Sequence, residues 1–157
     1  MHDRSYKRSL MEIWRVHESG IKVSTYGRVE TRNKGIHCGC TNGRGYKEIY
    51  KNGKHYRVHR LVLETFRPNP KPDYFTDVDH IDRDKSNNHH LNLRSATRTL
   101  NLLNNGKDNV YRRGNKWEAR VKIKRELHYH GTYADRDEAR SVAAMFKKLQ
   151  IETMLDG

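Results

Sequence analysis

The sequence is poor in hydrophobic residues, which fill only 34% of its 157 positions, and its mean hydropathy is −1.09. Such a composition does not favour one large apolar core, and several small modules are expected instead. The longest apolar runs are short pieces such as residues 61–63, so we expect no membrane-spanning segment. Residues 1–10 lack the apolar stretch of a secretory signal, and a cytoplasmic location is predicted.

Cysteine is also scarce, because the chain has only Cys38 and Cys40, one residue apart and close to His37. This spacing is too tight for an ordinary disulfide, and the three residues supply at most three zinc-type ligands. Reduced thiols are therefore expected. A zinc site completed by a ligand from elsewhere in the chain stays open as an alternative.

Acidic residues are few relative to basic ones: 19 Asp and Glu stand against 32 Lys and Arg, for a net charge of +13. The positive residues are spread along the whole chain rather than gathered in a tail. This distribution favours a long polyanion as partner over a membrane face, which would need a bulky apolar stripe. An ordinary solvated basic surface is the alternative.

Glycines divide residues 12–51 into short segments that read as strands. Asn52-Gly53 lies between two β-prone pieces, residues 46–50 and 54–58, and is a strong hairpin signal because both turn positions need positive φ. Residues 59–66 change to helical spacing, and three prolines beginning at Pro68 end that helix.

The last third of the chain reads as three strands followed by a helix. The strands cover residues 110–112, 116–124 and 127–133, and Asp135 with Glu138 predicts a capped helix that runs to about Gln150. Residues 116–124 alternate, so Ala119 and its apolar neighbours should pack on the helix. The opposite face, with Glu118 among its basic residues, should be open to phosphates or a major groove.

Polar residues with possible chemistry are concentrated between positions 77 and 101. Asp79-His80 should end a strand, Asn92-Leu93-Arg94 follows a polar loop, and residues 94–97 should open a helix that carries Asn101. A solvated hairpin whose Asp and Asn side chains satisfy turns is the plain alternative.

These residues resemble the HNH motif of phage intron-encoded and free-standing homing endonucleases, and residues 58–62 resemble the helix that leads into it. The resemblance implies a ββα-metal core of two antiparallel strands and a helix around one divalent cation. It also implies that His80 is the general base, that Asp79 and Asn101 are the metal ligands, and that Asn92 holds the loop in shape. Many members have His where Asn101 stands, and a subgroup of phage enzymes shares the Asn.

Elementary chemistry supports the same roles. A phosphodiester is an anion that repels hydroxide, so its hydrolysis needs a cation to neutralise the phosphate and a base to deprotonate water. The carboxylate of Asp79 and the amide oxygen of Asn101 are hard, sparse ligands that suit Mg²⁺ or Mn²⁺.

The C-terminal third resembles the three-stranded DNA-binding domain of plant ethylene-response and Apetala-type factors, through residues 110–113, 116–117, 119–120, 131–133 and 138–139. Residues 13–14, 23–24 and 27–29 resemble a small domain that often precedes HNH motifs. The predicted DNA contacts are Arg94, Arg112, Arg113, Lys116, Trp117, Arg120, Lys122 and Lys124.

The sequence thus predicts an α+β chain of three modules: a β-rich DNA-associated module (1–52), an HNH nuclease domain (53–106) and a three-stranded antiparallel sheet packed on one helix (107–157). The predicted function is that of a monomeric endonuclease that uses Mg²⁺ or Mn²⁺ to nick one strand of double-stranded DNA. A DNA-binding regulator with an inactive HNH remnant is the alternative. An RNA-binding protein is disfavoured, because the basic sheet lacks paired surface aromatics.

Overall fold

The structure, a computed structural model, describes residues 11–156. The chain divides into two compact units, Met1–Ala96 and Thr97–Gly157, and both contain helices and strands. The mixed α and β class is therefore confirmed, whereas the three-module organisation stays a prediction. Residues 1–10, where no secretory signal is expected, lie outside the described residues. Within residues 11–156, no helix is both long and apolar enough to span a membrane.

The first unit begins with a four-stranded antiparallel meander, in the order β1-β2-β3-β4. Turns at Gly20 and Gly27 connect its first three strands. The φ values of these residues, 72° and 77°, are costly for residues other than glycine, which explains why glycine occupies both turns. The strands are β1 (Trp14–Val16), β2 (Lys22–Ser24), β3 (Val29–Thr31) and β4 (Gly35–His37).

A second antiparallel sheet follows, formed by β5 (Cys40–Thr41), β6 (Lys47–Lys51) and β7 (Lys54–Arg57). Asn52 and Gly53, with φ of 50° and 77°, connect β6 to β7, and Lys51 pairs with Lys54 beside the turn. The predicted hairpin is confirmed, including the positive φ at both turn residues.

Helix α1 (Val58–Phe66) follows β7 directly and supplies the centre of the first core. Its C-cap is Arg67, directly ahead of Pro68, and the helix was expected to end there because proline restricts the residue before it. The buried core joins the meander, β6, α1 and the later strand β9, and consists of Ile21, Val23, Val29, Ile49, Val58, Leu61, Val62, Leu63 and Leu93.

The first unit ends with a two-stranded antiparallel hairpin of β8 (Asp77–His80) and β9 (Leu93–Ala96), joined by a polar loop with a 3-10 turn at His90–Asn92. The strand ending at His80 was expected. The expectation that residues 94–97 open a helix is wrong, because residues 94–96 pair with β8 and the next helix begins at Arg98.

The second unit contains helix α2 (Arg98–Leu103), strands β10 (Val110–Arg113), β11 (Lys116–Ile123) and β12 (Glu126–Tyr133), and helix α3 (Arg136–Asp156). Thr97 caps α2, since its hydroxyl accepts a hydrogen bond from the Leu100 amide. Asp135 likewise caps α3 through the amides of Asp137 and Glu138. Helix α3 runs six residues past the predicted end at Gln150.

The three strands form one antiparallel sheet, in the order β10-β11-β12, and α3 packs on it. Ala119, Val121 and Ile123 are buried under the helix, as the alternation predicts. The expectation that Glu118 lies open to solvent is wrong: it is fully buried. The pairing of β11 with β12 shifts register between Glu118 and Arg120, and Gly131 in β12 has φ of 110°, so β12 has a β-bulge there.

Candidate active site and basic sheet

The β8–β9 hairpin holds Asp79 and His80, both of which are buried. Asp79 pairs across the hairpin with Arg94, and His80 pairs with Leu93. Consecutive residues of a strand point to opposite sides, and Asp79 accordingly contacts Arg94 whereas His80 contacts Asn88. The two predicted catalytic groups are thus neighbours in sequence that lie in separate environments.

Asp79 forms a close ion pair with Arg94. Its Oδ2 accepts hydrogen bonds from Nε of Arg94 at 2.8 Å and from Nη2 at 2.7 Å. The side chains of Asp79 and Arg94 are only 4% and 15% exposed, so the pair is shielded from water. A charge removed from water needs such a partner, and Arg94 therefore acts as the counter-ion of Asp79 in this structure.

His80 is held by Asn88, a residue of the loop between β8 and β9. Nε2 of His80 lies 3.0 Å from Oδ1 of Asn88. Because an amide oxygen only accepts hydrogen bonds, this contact fits the tautomer of His80 that carries its proton on Nε2. Asn88 is itself buried against Gly27, where an added Cβ would lie 2.5 Å from the Cβ of Asn88.

Two aromatic rings pack beside His80. The ring centroid of His59, on α1, lies 5.1 Å from that of His80 in an edge-on arrangement, and the ring centroid of Tyr46 lies 6.1 Å from that of His80. Nδ1 of His59 is buried with no hydrogen-bond partner. Burial, with the charges of His80, Arg60 and Arg57, lowers the pKa of His59 to about 3, so His59 is neutral near pH 7.

Asn92 ties together two parts of the polar loop. Its Oδ1 accepts from the amide of Asp82 at 3.0 Å, while its Nδ2 donates to Oδ1 of Asp82 and to the carbonyl of Asn87. Burial raises the pKa of Asp82, but hydrogen bonds from Asn87 and Asn92 outweigh it, and the pKa lies below its ordinary value. This geometry suits the loop-holding role expected of Asn92, which stays a prediction.

The expected metal ligands fall in different units. Asp79 belongs to the first unit, and Asn101 lies half-buried on α2 of the second. Residues 11–156 contain no group of three or more His, Cys, Asp or Glu side chains arranged to hold a metal ion. A carboxylate and an amide oxygen remain a suitable, sparse donor set for a hard divalent cation. The metal site stays a prediction.

The zinc alternative near the start of the chain has no support. Nδ1 of His37 accepts a hydrogen bond from the Gly39 amide, and its Nε2 lies 3.0 Å from the hydroxyl of Thr31. Both ring nitrogens of His37 are therefore engaged, and the two thiols, Cys38 and Cys40, are exposed and reduced.

The expected DNA-contacting residues of the second unit do not share one face. Cross-strand register places Arg113 opposite Lys116 but Arg112 opposite Trp117. Alternation then puts Arg112 and Trp117 on the face that bears Ala119, which packs on α3. Arg113 and Lys116 lie on the other face, the basic face, defined by Tyr111, Arg113, Lys116, Glu118, Arg120 and Lys122.

The residues around Glu118 organise the basic face. Nη1 of Arg113 donates to Oε1 of Glu118 at 2.7 Å, and Nη2 of Arg120 donates to Oε2. The Arg120 guanidinium also lies over the ring of Tyr111, at 5.6 Å from its centroid. Lys116, Lys122 and Lys124 are exposed. The sequence pattern missed Glu118 because strict alternation counted it as one more solvated charge.

Two comparisons with known proteins found similarities to parts of the chain. Residues 56–103, which run from the end of β7 through α2, match the family model described as HNH endonuclease. This segment of the chain is therefore similar to HNH endonucleases. That segment includes Asp79, His80, Asn92 and Asn101, the residues on which the expected motif rests.

A solved structure titled "DNA binding and cleavage by the HNH homing endonuclease I-HmuI" is similar to this chain at 30% sequence identity, with a TM-score of 0.49. The similarity covers 59% of this chain and 56% of that one, so the match spans little more than half of the solved chain. No curated protein matches the sequence.

Proposed function

We propose that this protein is a metal-dependent endonuclease of homing type, which nicks one strand of double-stranded DNA and acts as a monomer. The observation that carries the proposal is the buried His80 imidazole, held by Asn88 beside Asp79 within the segment that matches the HNH endonuclease model. The net charge of +13 supports a polyanionic substrate. One such site per chain supports a cut in a single strand.

The protein's own groups have distinct tasks in the proposed reaction. The imidazole of His80 takes a proton from water, the water oxygen forms a bond to phosphorus, and the bond from phosphorus to the 3′ oxygen breaks. The leaving 3′ oxygen takes a proton from solvent water, so the products are a 5′-phosphate and a 3′-hydroxyl, and His80 returns its proton to solvent. Asn88 keeps the proton of His80 on Nε2, and neutral His59 adds no charge that would repel the imidazolium.

The proposed metal ligands are Asp79 and Asn101, which would hold Mg²⁺ or Mn²⁺ through oxygen atoms. Bound there, the cation would neutralise the phosphate and stabilise the leaving 3′ oxygen. In the structure, Arg94 neutralises Asp79. Arg94 is also a proposed DNA contact, because an arginine released from Asp79 could bind a phosphate.

Nicking of supercoiled plasmid tests the proposal. The parent protein should convert supercoiled to open-circular DNA in Mg²⁺ and should not do so in EDTA. His80→Ala should nick about 10²- to 10⁴-fold more slowly, since the general base is lost. The matched control is His55→Ala, because the His55 side chain is 66% exposed on β7 and should nick at the parent rate.

Two outcomes would contradict the proposal. His80→Ala nicking at the parent rate would exclude the proposed base. A parent protein that shifts duplex DNA in a gel but never cuts it would favour the alternative, a DNA-binding regulator with an inactive HNH domain.

A further inference from the structure

Glu118 is a charged residue in an unexpected place. It lies in β11, the central strand of the second sheet, and its side chain is only 1% exposed. An isolated buried carboxylate is strongly unfavourable, so the residue persists only because its charge is matched. The alternation of side chains along β11 places Glu118 on the basic face, where a side chain is ordinarily exposed to water.

The two partners of Glu118 differ from it in exposure. The side chain of Arg113 is 74% exposed and that of Arg120 is 32% exposed. Each oxygen of the carboxylate receives one guanidinium: Oε1 that of Arg113 and Oε2 that of Arg120. A single buried group therefore fixes the positions of two arginines that reach the surface.

A guanidinium with a fixed orientation is suited to a different kind of DNA contact than a mobile one. Binding to DNA phosphates through charge alone does not require a fixed orientation, because it depends on counterion release. Reading base edges does require it, since arginine recognises guanine O6 and N7 through two parallel N–H groups. An arginine already held by a carboxylate and, for Arg120, by the Tyr111 ring loses less freedom when it forms such a pair.

We infer that Glu118 is a positioning residue, which holds Arg113 and Arg120 as a rigid pair that reads base edges in the major groove of duplex DNA. The inference rests on the proposed function, because it takes DNA as the ligand of the second unit. It makes this pair a determinant of sequence preference, and it assigns general phosphate attraction to the exposed lysines of the basic face.

The test compares binding of the full-length protein to two kinds of duplex in EDTA, so that DNA is not cut. One duplex is the sequence that the parent protein enriches from a random duplex library, and the other is poly(dI-dC). Glu118→Gln keeps the shape of the side chain and removes its charge. We expect it to lose about tenfold or more of the parent's preference for the enriched duplex, because the pair is released. Its binding to poly(dI-dC) should be equal or stronger, since the face gains one net positive charge.

The matched control is Glu126→Gln, which makes the same charge change at an exposed position at the start of β12. It should keep the parent's preference. Should Glu118→Gln fail to fold, Arg113→Lys and Arg120→Lys serve instead, because lysine keeps the charge and loses the planar fork. Each should lower the preference while retaining binding to poly(dI-dC).

Several results would overturn the inference. Glu118→Gln that is folded and keeps the full preference would show that the carboxylate does not position a reading pair. A parent protein that binds duplex DNA without enriching any sequence would also refute it, although plasmid nicking could still support the endonuclease. A parent protein that binds no duplex DNA and cuts none would reject the proposed function as well.

Discussion

Both units of the protein bury a carboxylate against arginine, but they differ in how far the arginine is exposed. In the β8–β9 hairpin, Asp79 and Arg94 are both shielded, at 4% and 15% side-chain exposure. In the second sheet, Glu118 is buried at 1%, whereas Arg113 is 74% exposed. The same pair of chemical groups thus has two uses.

The two pairs also have different proposed roles. In the hairpin, the carboxylate is the proposed metal ligand and the arginine is its counter-ion. In the sheet, the arginines are the proposed ligand-binding groups and the carboxylate is their counter-ion. In both pairs the buried carboxylate and its arginine hold each other in place, and in the sheet the exposed part of the arginine can also reach a ligand.

The largest expected effect that separates the two pairs is on stability. Arg94→Ala would leave Asp79 in a shielded site without its arginine, and the free energy of unfolding should fall by about 3 kcal/mol. Arg113→Ala should lower it by about 1 kcal/mol, because Arg120 still neutralises Glu118. Urea unfolding followed by circular dichroism measures both. Equal losses in the two variants would show that the pairs are energetically alike and would break the comparison.

A smaller effect, on the pH dependence of stability, tests whether water is excluded from the surroundings of the hairpin as the burial of Asp79 and His80 indicates. Unfolded histidine has a pKa of about 6.5, whereas that of folded His59 is about 3, so between these pH values only the unfolded chain takes up the proton. The stability that neutral His59 contributes is therefore complete above pH 6.5 and is lost as pH falls toward 3. The slope should be about 1.4 kcal/mol per pH unit.

Replacement of His59 isolates this contribution from those of other groups. His59→Phe fills a similar volume and cannot titrate, so its free energy of unfolding should fall less than the parent's between pH 7 and pH 5.5, by about 1 kcal/mol. Indistinguishable pH profiles for the parent and His59→Phe would mean that His59 is hydrated in the folded protein.

Sequence reasoning recovered the local features of the fold and fell short on the longer-range ones. The turn at Asn52-Gly53, helix α1 and the Asp135 cap depend on residues within a few positions, and the structure has them as expected. The burial of Glu118 was missed because it depends on Arg113 in the neighbouring strand. The division of the predicted contacts Arg112 and Arg113 between two faces of the sheet follows from the strand register, since adjacent residues of a strand point to opposite sides.

The candidate site shows the same division. His80, Asp79 and Asn92 stood out because their residue types and order suggest a phosphodiesterase. Asn88 does not stand out in the sequence from the other polar residues of its loop, because its contact with His80 depends on a loop that brings it back from eight positions away. The Asp79–Arg94 pair was missed, although the hairpin register would have placed these two residues opposite each other.

The smallest expected effect distinguishes an exposed lysine of the basic face from the arginines that Glu118 holds. Lys122 lies on the same strand and face as Glu118 and Arg120, and it is exposed. If it contacts phosphate alone, Lys122→Ala should weaken binding to the enriched duplex and to poly(dI-dC) by the same factor. It should also lower the slope of log affinity against log salt by about one.

The control is Lys148→Ala on α3, which should leave the slope unchanged because Lys148 lies outside the basic face. A change in sequence preference in Lys122→Ala would mean that base reading extends beyond the Glu118-held pair, and that exposure alone does not divide the two kinds of contact.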